Sequence, residues 1–157
     1  MDRAITYREI HKGEEEKACQ LIMEVFDEFI APGYSEEGIS EFSKTAYPEN
    51  MRNRLDNNRF IILAFDEDLL VGVIEVRNSD HISLFFVRKE YMGKGIGKTL
   101  NKLAVDKCLE VNPGLTDIDV GSSPYAVPIY EKLGFVAVNS EQTFKGIRYT
   151  PMVLTLH

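Results

Sequence analysis

Two stretches of this sequence combine residue types and spacings that could do chemistry. The first is "MGKGIGKTL", residues 92–100, in which Gly93, Gly95 and Gly97 alternate with Lys94, Ile96 and Lys98. Glycine permits close backbone approach and positive φ, so amides from Gly93 to Gly97 can converge on an anion. The helix that follows adds the positive end of its dipole, and the two lysines add charge at the rim. A pyrophosphate suits such a cradle. The second stretch is "YAVPIYEKLGF", residues 125–135, which sets the phenol of Tyr130 in a short helix closed by Gly134. A phenol with a pKa of about 10 stays protonated at neutral pH and can donate a proton. Equally, a large aromatic on an amphipathic helix is ordinary core material.

The Gly97-Lys98-Thr99 ending resembles a nucleoside-triphosphate loop, but that pattern needs a glycine where this chain has Met92. "LTDID" is a poor second acidic motif for magnesium, and the order of elements is wrong for that fold. Triphosphate chemistry is therefore set aside.

The elements that must position these stretches follow from apolar periodicity. "AITYREI" predicts a first strand, and "EEEKACQLIMEVFDEFI" repeats apolar residues on one helical face. Its acidic first turn suits the helix dipole, and Pro32-Gly33 ends it. Ser35 predicts the N-cap of a short helix carrying Ile39 and Phe42, and Pro48 the start of another with Met51 and Leu55. "FIILAF", "LLVGVIEVR" and "HISLFFV", separated by polar turns, predict an antiparallel meander. A second long helix, with Ile96, Leu100, Leu103, Ala104 and Val111, follows the glycine loop. "TDIDV", the helix of "AVPIYEKLG", "FVAV" and "IRYTPMVLTL" complete one α/β domain over residues 1–157. Pro151 lacks an amide donor, which predicts an edge or a bulge in the last strand.

Composition narrows the partners. A formal net charge of −7 repels a polyanion, so nucleic acid is not an expected partner. No run approaches the roughly 18 apolar residues of a membrane span, and the charged N-terminus does not read as a signal peptide. A cytoplasmic protein is expected, without a membrane partner. Cys19 and Cys108 form neither a metal-ligand nor a disulfide pattern, and no metal is expected.

The paired stretches closely resemble the two signature motifs of the GNAT N-acetyltransferase superfamily. That family's loop reads Gln/Arg-x-x-Gly-x-Gly/Ala, and Gly95 and Gly97 match its glycines, with Met92 in place of Gln or Arg. Its second motif reads Asn-x-x-Ala-x-x-x-Tyr-x-x-x-Gly-Phe; Ala126, Tyr130, Gly134 and Phe135 match, and Ser123 replaces the Asn. The likeness runs along nearly the whole chain. It implies a mixed, mostly antiparallel central sheet flanked by helices, with splayed central strands. It also implies an acetyl-CoA-dependent N-acetyltransferase in which a primary amine, on a small molecule or a peptide, attacks the thioester directly. The family's members often pair as homodimers.

By the same resemblance the cofactor lies along Phe85, Phe86, Val87, Met92, Gly93, Lys94, Gly95, Ile96, Gly97, Lys98, Ser123 and Tyr130. A main-chain N–H of Val87 or Phe86 holds the carbonyl, and Tyr130 is the general acid. An aliphatic amine with a pKa of about 10.4 is free base in only about one molecule in a few thousand at neutral pH, so a base or a water path to one is needed. His81 starts "HISLFFV", where several members of the family place a catalytic glutamate, and imidazole titrates near neutrality. Glu75 alternates with Val71 and Val73 on one strand face, where a carboxylate is costly unless solvated, paired or functional. His81, Glu75 and a water chain stay open as the base. Tyr34, Phe42 and Tyr47 are expected at the acceptor mouth, suiting an amine with an apolar body. Met92 and Ser123 motivate the alternative of a non-catalytic acyl-CoA-binding module.

Overall fold

The structure, a computed structural model, describes residues 4–156. A single α/β layer system is built on an eight-stranded mixed sheet. In chain order come β1 (Ile5–Glu9), α1 (Glu15–Phe29), α2 (Glu36–Thr45), α3 (Pro48–Leu55), β2 (Arg59–Asp66), β3 (Leu69–Arg77) and β4 (His81–Val87). There follow α4 (Ile96–Val111), β5 (Asp117–Ser122), α5 (Val127–Lys132), β6 (Val136–Ala137), β7 (Gln142–Phe144) and β8 (Ile147–Thr155). The strand order is β1-β2-β3-β4-β5-β8-β6, with β7 also on β8. Every pairing is antiparallel except β4 with β5. No helix among the described residues is long and apolar enough to cross a membrane.

The sheet is buried on both faces, which is why β2 and β3 read as continuous apolar runs rather than alternating ones. One layer packs α4 and α5 against Ile62, Ala64, Ile74, Val76 and Val120. The other packs α1, through Ala18, Leu21, Ile22, Val25 and Phe26, against Ile61, Leu63, Val73, Leu84 and Phe86. The predicted caps form: Ser35 Oγ accepts from the Gly38 amide at 3.2 Å, and Pro48 opens α3.

Two bulges interrupt the regular ladder. On β3, Ala64 pairs with Gly72 but Phe65 with Leu70, so Val71 is supernumerary and turns into the α4 layer. Val73 remains in the α1 layer and Glu75 is two residues further along the strand, so the expected common face for Val71, Val73 and Glu75 is corrected to exclude Val71. On β4, Glu75 pairs with Leu84 but Val76 with Ile82, leaving Ser83 as the extra residue. A bulge bends and twists its strand. β4 and β5 accordingly stay in register for only two pairs, His81–Asp119 and Ile82–Val120, and part beyond them.

The edge or bulge expected at Pro151 takes the form of a joint between two partner strands. β8 lies between β5 on one side and β6 and β7 on the other. β7 pairs with β8 as far as Tyr149 and β6 takes over at Met152, so the missing amide falls at the joint between them. The Pro151 carbonyl accepts from Val138 there.

Candidate active site

The parting of β4 from β5 opens a cleft of about 690 Å³ that runs through the sheet. Its lining draws on both packing layers: Phe85, Val87, Val120, Ala126 and Tyr130 from the α4 side, and Val25, Tyr34, Phe42, Leu84 and Phe86 from the α1 side. The glycine loop borders it through Met92, Gly93, Gly95, Gly97 and Lys98.

The loop is shaped to leave space. Gly93 and Gly95 have φ of +75° and +87°, with nothing within 4 Å of where a Cβ would stand. A Cβ on Gly97 would meet only the rim of Phe85 at 3.6 Å and the Val87 Cγ2 at 3.8 Å, both ordinary contacts, so protein packing alone does not require glycine there. The first intrahelical bond of α4 runs from Thr99 N–H to Gly95 O, which leaves the amides of Ile96, Gly97 and Lys98 without intrahelical acceptors. That first turn has no acidic residue and no side-chain cap. The dipole end is therefore bare, as an anion site requires.

Strand alternation distinguishes between the two candidate amides on β4. The Arg88 amide donates to Val71 O at 2.8 Å, towards β3. Successive amides of a strand point to opposite sides. The Phe86 amide therefore also faces β3, whereas those of Phe85 and Val87 face the gap. Of the two candidates, only the Val87 amide is turned to the gap.

Tyr130 stands on the opposite lip, 6% exposed, with its ring edge-on to Phe85 and Phe135 at centroid distances of 5.9 and 5.3 Å. Burial raises its phenol pKa above the ordinary value, so the group is protonated throughout the neutral range. Ser123 also lines the cleft, and its Oγ accepts from the Ala126 amide at 3.3 Å at the head of α5. Met92 is held by Tyr125, whose hydroxyl lies 3.6 Å from the sulfur and whose ring stacks on Phe29.

Five of the expected residues stand apart from the cleft wall. His81 lies at the start of β4, where the strands are still paired, and its Nδ1 contacts Asp119. Glu75 is fully buried beneath the wall in an arginine clamp. Arg54 binds both of its oxygens, at 2.8 and 3.1 Å, and Arg59 reaches Oε2 at 3.1 Å. The carboxylate is paired, as its burial demands. Tyr47 caps α3 at 48% exposure, and Lys94 lies over the Tyr91 ring in the loop. Ile96 turns its side chain into the core. Tyr34 and Phe42 do line the cleft: Phe42 stacks on Phe26 at 4.0 Å, and Tyr34 Oη donates to Arg148 O at 3.0 Å.

Sequence reasoning passes over Thr45, Ser83, Tyr125, Ile147 and Tyr149, which also form the wall. The β7–β8 hairpin brings in the last two by docking on α2, so closely that Gly38 and Gly146 must both be glycine. The glycine in an otherwise ordinary α2 was the available signal. Both cysteines are buried, and burial pushes their thiols up to about 11, so neither is a nucleophile at neutral pH.

Residues 30–156 match the family model of the acetyltransferase (GNAT) domain. The chain belongs to the GNAT acetyltransferase family. Among solved structures it is similar to a GCN5-related N-acetyltransferase from Rhodopseudomonas palustris, with a TM-score of 0.82, 22% identity and 99% of each chain covered. It is similar also to the PaiA N-acetyltransferase of Thermoplasma acidophilum in complex with coenzyme A, with a TM-score of 0.79 and 21% identity over 98% of this chain and 99% of that one. The spermidine/spermine N-acetyltransferase SpeG of Vibrio cholerae matches with a TM-score of 0.59 and 19% identity, over 96% of this chain and 92% of that one. At these identities the likeness is one of fold. No match emerges among curated protein sequences.

Proposed function

We propose that this GNAT acetyltransferase transfers the acetyl group of acetyl-CoA to a primary amine by direct attack, with Tyr130 as general acid. The observation that carries the reading is the alignment of three features on one cleft: the bare head of α4, the free Val87 amide and the Tyr130 phenol. The residues present suit the cofactor. Gly93, Gly95 and Gly97 leave room for a pyrophosphate, the amides of Ile96, Gly97 and Lys98 supply donors, and Lys98 supplies charge. Met92 offers no side-chain donor, so the main chain carries the contact.

Bound acetyl-CoA supplies an activated acyl group on a good leaving thiol. The Val87 amide holds the carbonyl oxygen as charge builds on it, and such a preorganised donor is worth about 3 kcal/mol. Tyr130 gives its proton to the departing sulfur. Phe85 and Val120 keep water from the thioester. His81 and Glu75 lie off the wall, so the amine proton leaves by a water path rather than to a side chain in direct contact. Gly97→Ala tests the cofactor site, since the protein itself tolerates the methyl at 3.6 Å. The variant is expected to keep its melting temperature and to lose most of the stabilisation that coenzyme A gives the wild type. An unchanged coenzyme A response would remove the loop from the binding site.

A further inference from the structure

The charge pattern of the acceptor side carries a substrate class. Among the described residues the wall holds neither a carboxylate nor a histidine nor an arginine; its charged members are Lys98 at the head of α4 and Lys132 at the end of α5. The other titratable groups facing the cleft are the phenols of Tyr34, Tyr91, Tyr125, Tyr130 and Tyr149. The acceptor half is otherwise apolar or hydroxylic, with Phe42, Thr45, Ser83 and Ile147.

Directly behind that half lies the Glu75 clamp. Arg59 Nη1 donates to Ser83 Oγ at 3.0 Å and Arg54 Nη2 to Thr45 O at 2.8 Å, so both guanidiniums back wall residues. Two guanidiniums against one carboxylate leave one net positive charge. The neighbouring Glu15–Arg52 pair adds none, and Arg77 beside Arg59 adds more of the same sign. An ammonium entering this site therefore meets apolar surface with net positive charge behind it. Both factors favour its neutral form.

Resting on the acetyltransferase reading above, we propose that the acceptor is a monoamine with an aromatic or large aliphatic body and a weakly basic amino group, as in an apolar α-amino amide. Polyamines are rejected. The body fills the space beside Phe42 and Ile147, and a second ammonium would find no counter-charge. An α-amino group with a pKa of 7.7–8.0 is roughly one-third neutral at pH 7.5, against about one in 800 for an amine at 10.4. A wall without a base thus selects amines that need none. The attacking nitrogen forms the bond to the acyl carbon as the carbon–sulfur bond breaks. The sulfur takes a proton from Tyr130, the nitrogen, neutral on attack, loses one proton to water, and the Tyr130 phenolate regains a proton from water.

The test measures thiol release from acetyl-CoA with phenylalanine amide, 2-phenylethylamine, spermidine and a short peptide beginning with Phe. At pH 7.5 the amide is expected to exceed spermidine in kcat/KM by at least 100-fold. It should exceed phenylethylamine by at least tenfold, and that second gap should narrow several-fold by pH 9.5 as the stronger base deprotonates. Equal use of the peptide and the amide assigns a peptide N-terminus as the source; use of the amide alone assigns a free small amine. Thr45→Glu and Ile147→Glu each place a carboxylate on the wall. Either, if folded, should raise spermidine use about tenfold relative to the amide. Spermidine within threefold of the amide in the wild type overturns this inference and leaves the acetyltransferase reading standing. Turnover of no amine, in a protein that coenzyme A still stabilises, overturns both.

Discussion

Replacing Tyr130 by Phe separates a proton donor from a core aromatic. The ring meets Phe85 and Phe135 edge-on, and such pairs are worth about 0.5–1.5 kcal/mol each beyond area burial. Phe retains both contacts and every ring carbon, so the melting temperature at pH 7 is expected to move by no more than about 2 °C. The catalytic cost is of a different order. Loss of a positioned acid costs about 10²–10⁴-fold, equivalent to roughly 3–5 kcal/mol in the barrier. The assay is thiol release at saturating acetyl-CoA and amine, beside the melting shift produced by coenzyme A. A kcat fall of about 100-fold or more with an unchanged coenzyme A shift is expected. A kcat within threefold of wild type refutes the acid and returns Tyr130 to the core.

The same variant has an alkaline signature whose sign follows from burial. The folded phenol has its pKa raised, while in the unfolded chain it ionises at about 10. The stabilisation is complete below the unfolded value and is lost as pH rises through and beyond it, because the unfolded chain then releases a proton that the folded one keeps. By pH 11 the wild type gives up about 1.4 kcal/mol on this account, and Tyr130→Phe gives up none. The difference between their melting temperatures should shift by about 3–5 °C in favour of the variant between pH 9 and pH 11.

Three other substitutions address the frame around the site. Glu75→Gln leaves two largely buried guanidiniums without their counter-ion, so a loss of about 3 kcal/mol, or about 6–12 °C in melting temperature, is expected, with kcat/KM of the folded fraction within about fivefold of wild type. A stable Glu75→Gln protein with activity down 100-fold would reinstate Glu75 as the base. Gly38→Ala would put a methyl 2.2 Å from the Gly146 carbonyl oxygen. Displacing the β7–β8 hairpin should cost about 2–3 kcal/mol and raise the KM for the amine more than that for acetyl-CoA. Arg8 holds the Glu14 carboxyl at about 2, against 4.5 unpaired, so that pair's stabilisation is present above pH 4.5 and lost as pH falls towards 2. With Arg8 37% exposed the contribution is about 1 kcal/mol, and urea titrations of Arg8→Ala from pH 6 to pH 2 should show a shallower acid decline than wild type.

Elements fixed by local chemistry were legible in the sequence. The stripe at Ala18, Leu21, Ile22, Val25 and Phe26, the Ser35 cap and the glycine head of α4 depend on neighbours a few residues away, and each lies where its pattern places it. What escaped depends on register. A supernumerary residue in a strand has no signature in side-chain type, and an apolar run buried on both faces hides the change of phase. Val71 falls in such a run, and on β4 the alternation of burial continues unbroken across Ser83 although the faces change there. Missing the first puts Val71 on the wrong face; missing the second hides a wall residue of the cleft.

The β4 bulge has consequences beyond its own position. The Ser83 bulge falls directly after Ile82, whose pair with Val120 is the last that β4 and β5 share. With it, the strands part, the amide is free, and the Ser83 hydroxyl turns back to Arg59. The bulge thereby joins the cleft to the buried charge cluster behind Thr45 and Ser83. His81 stands upstream of the bulge on the paired stretch, so its place in the sequence beside the glycine-loop strand does not bring it to the cleft wall. Distance along a strand locates a base only while the ladder is regular, and here the irregularity is what opens the site.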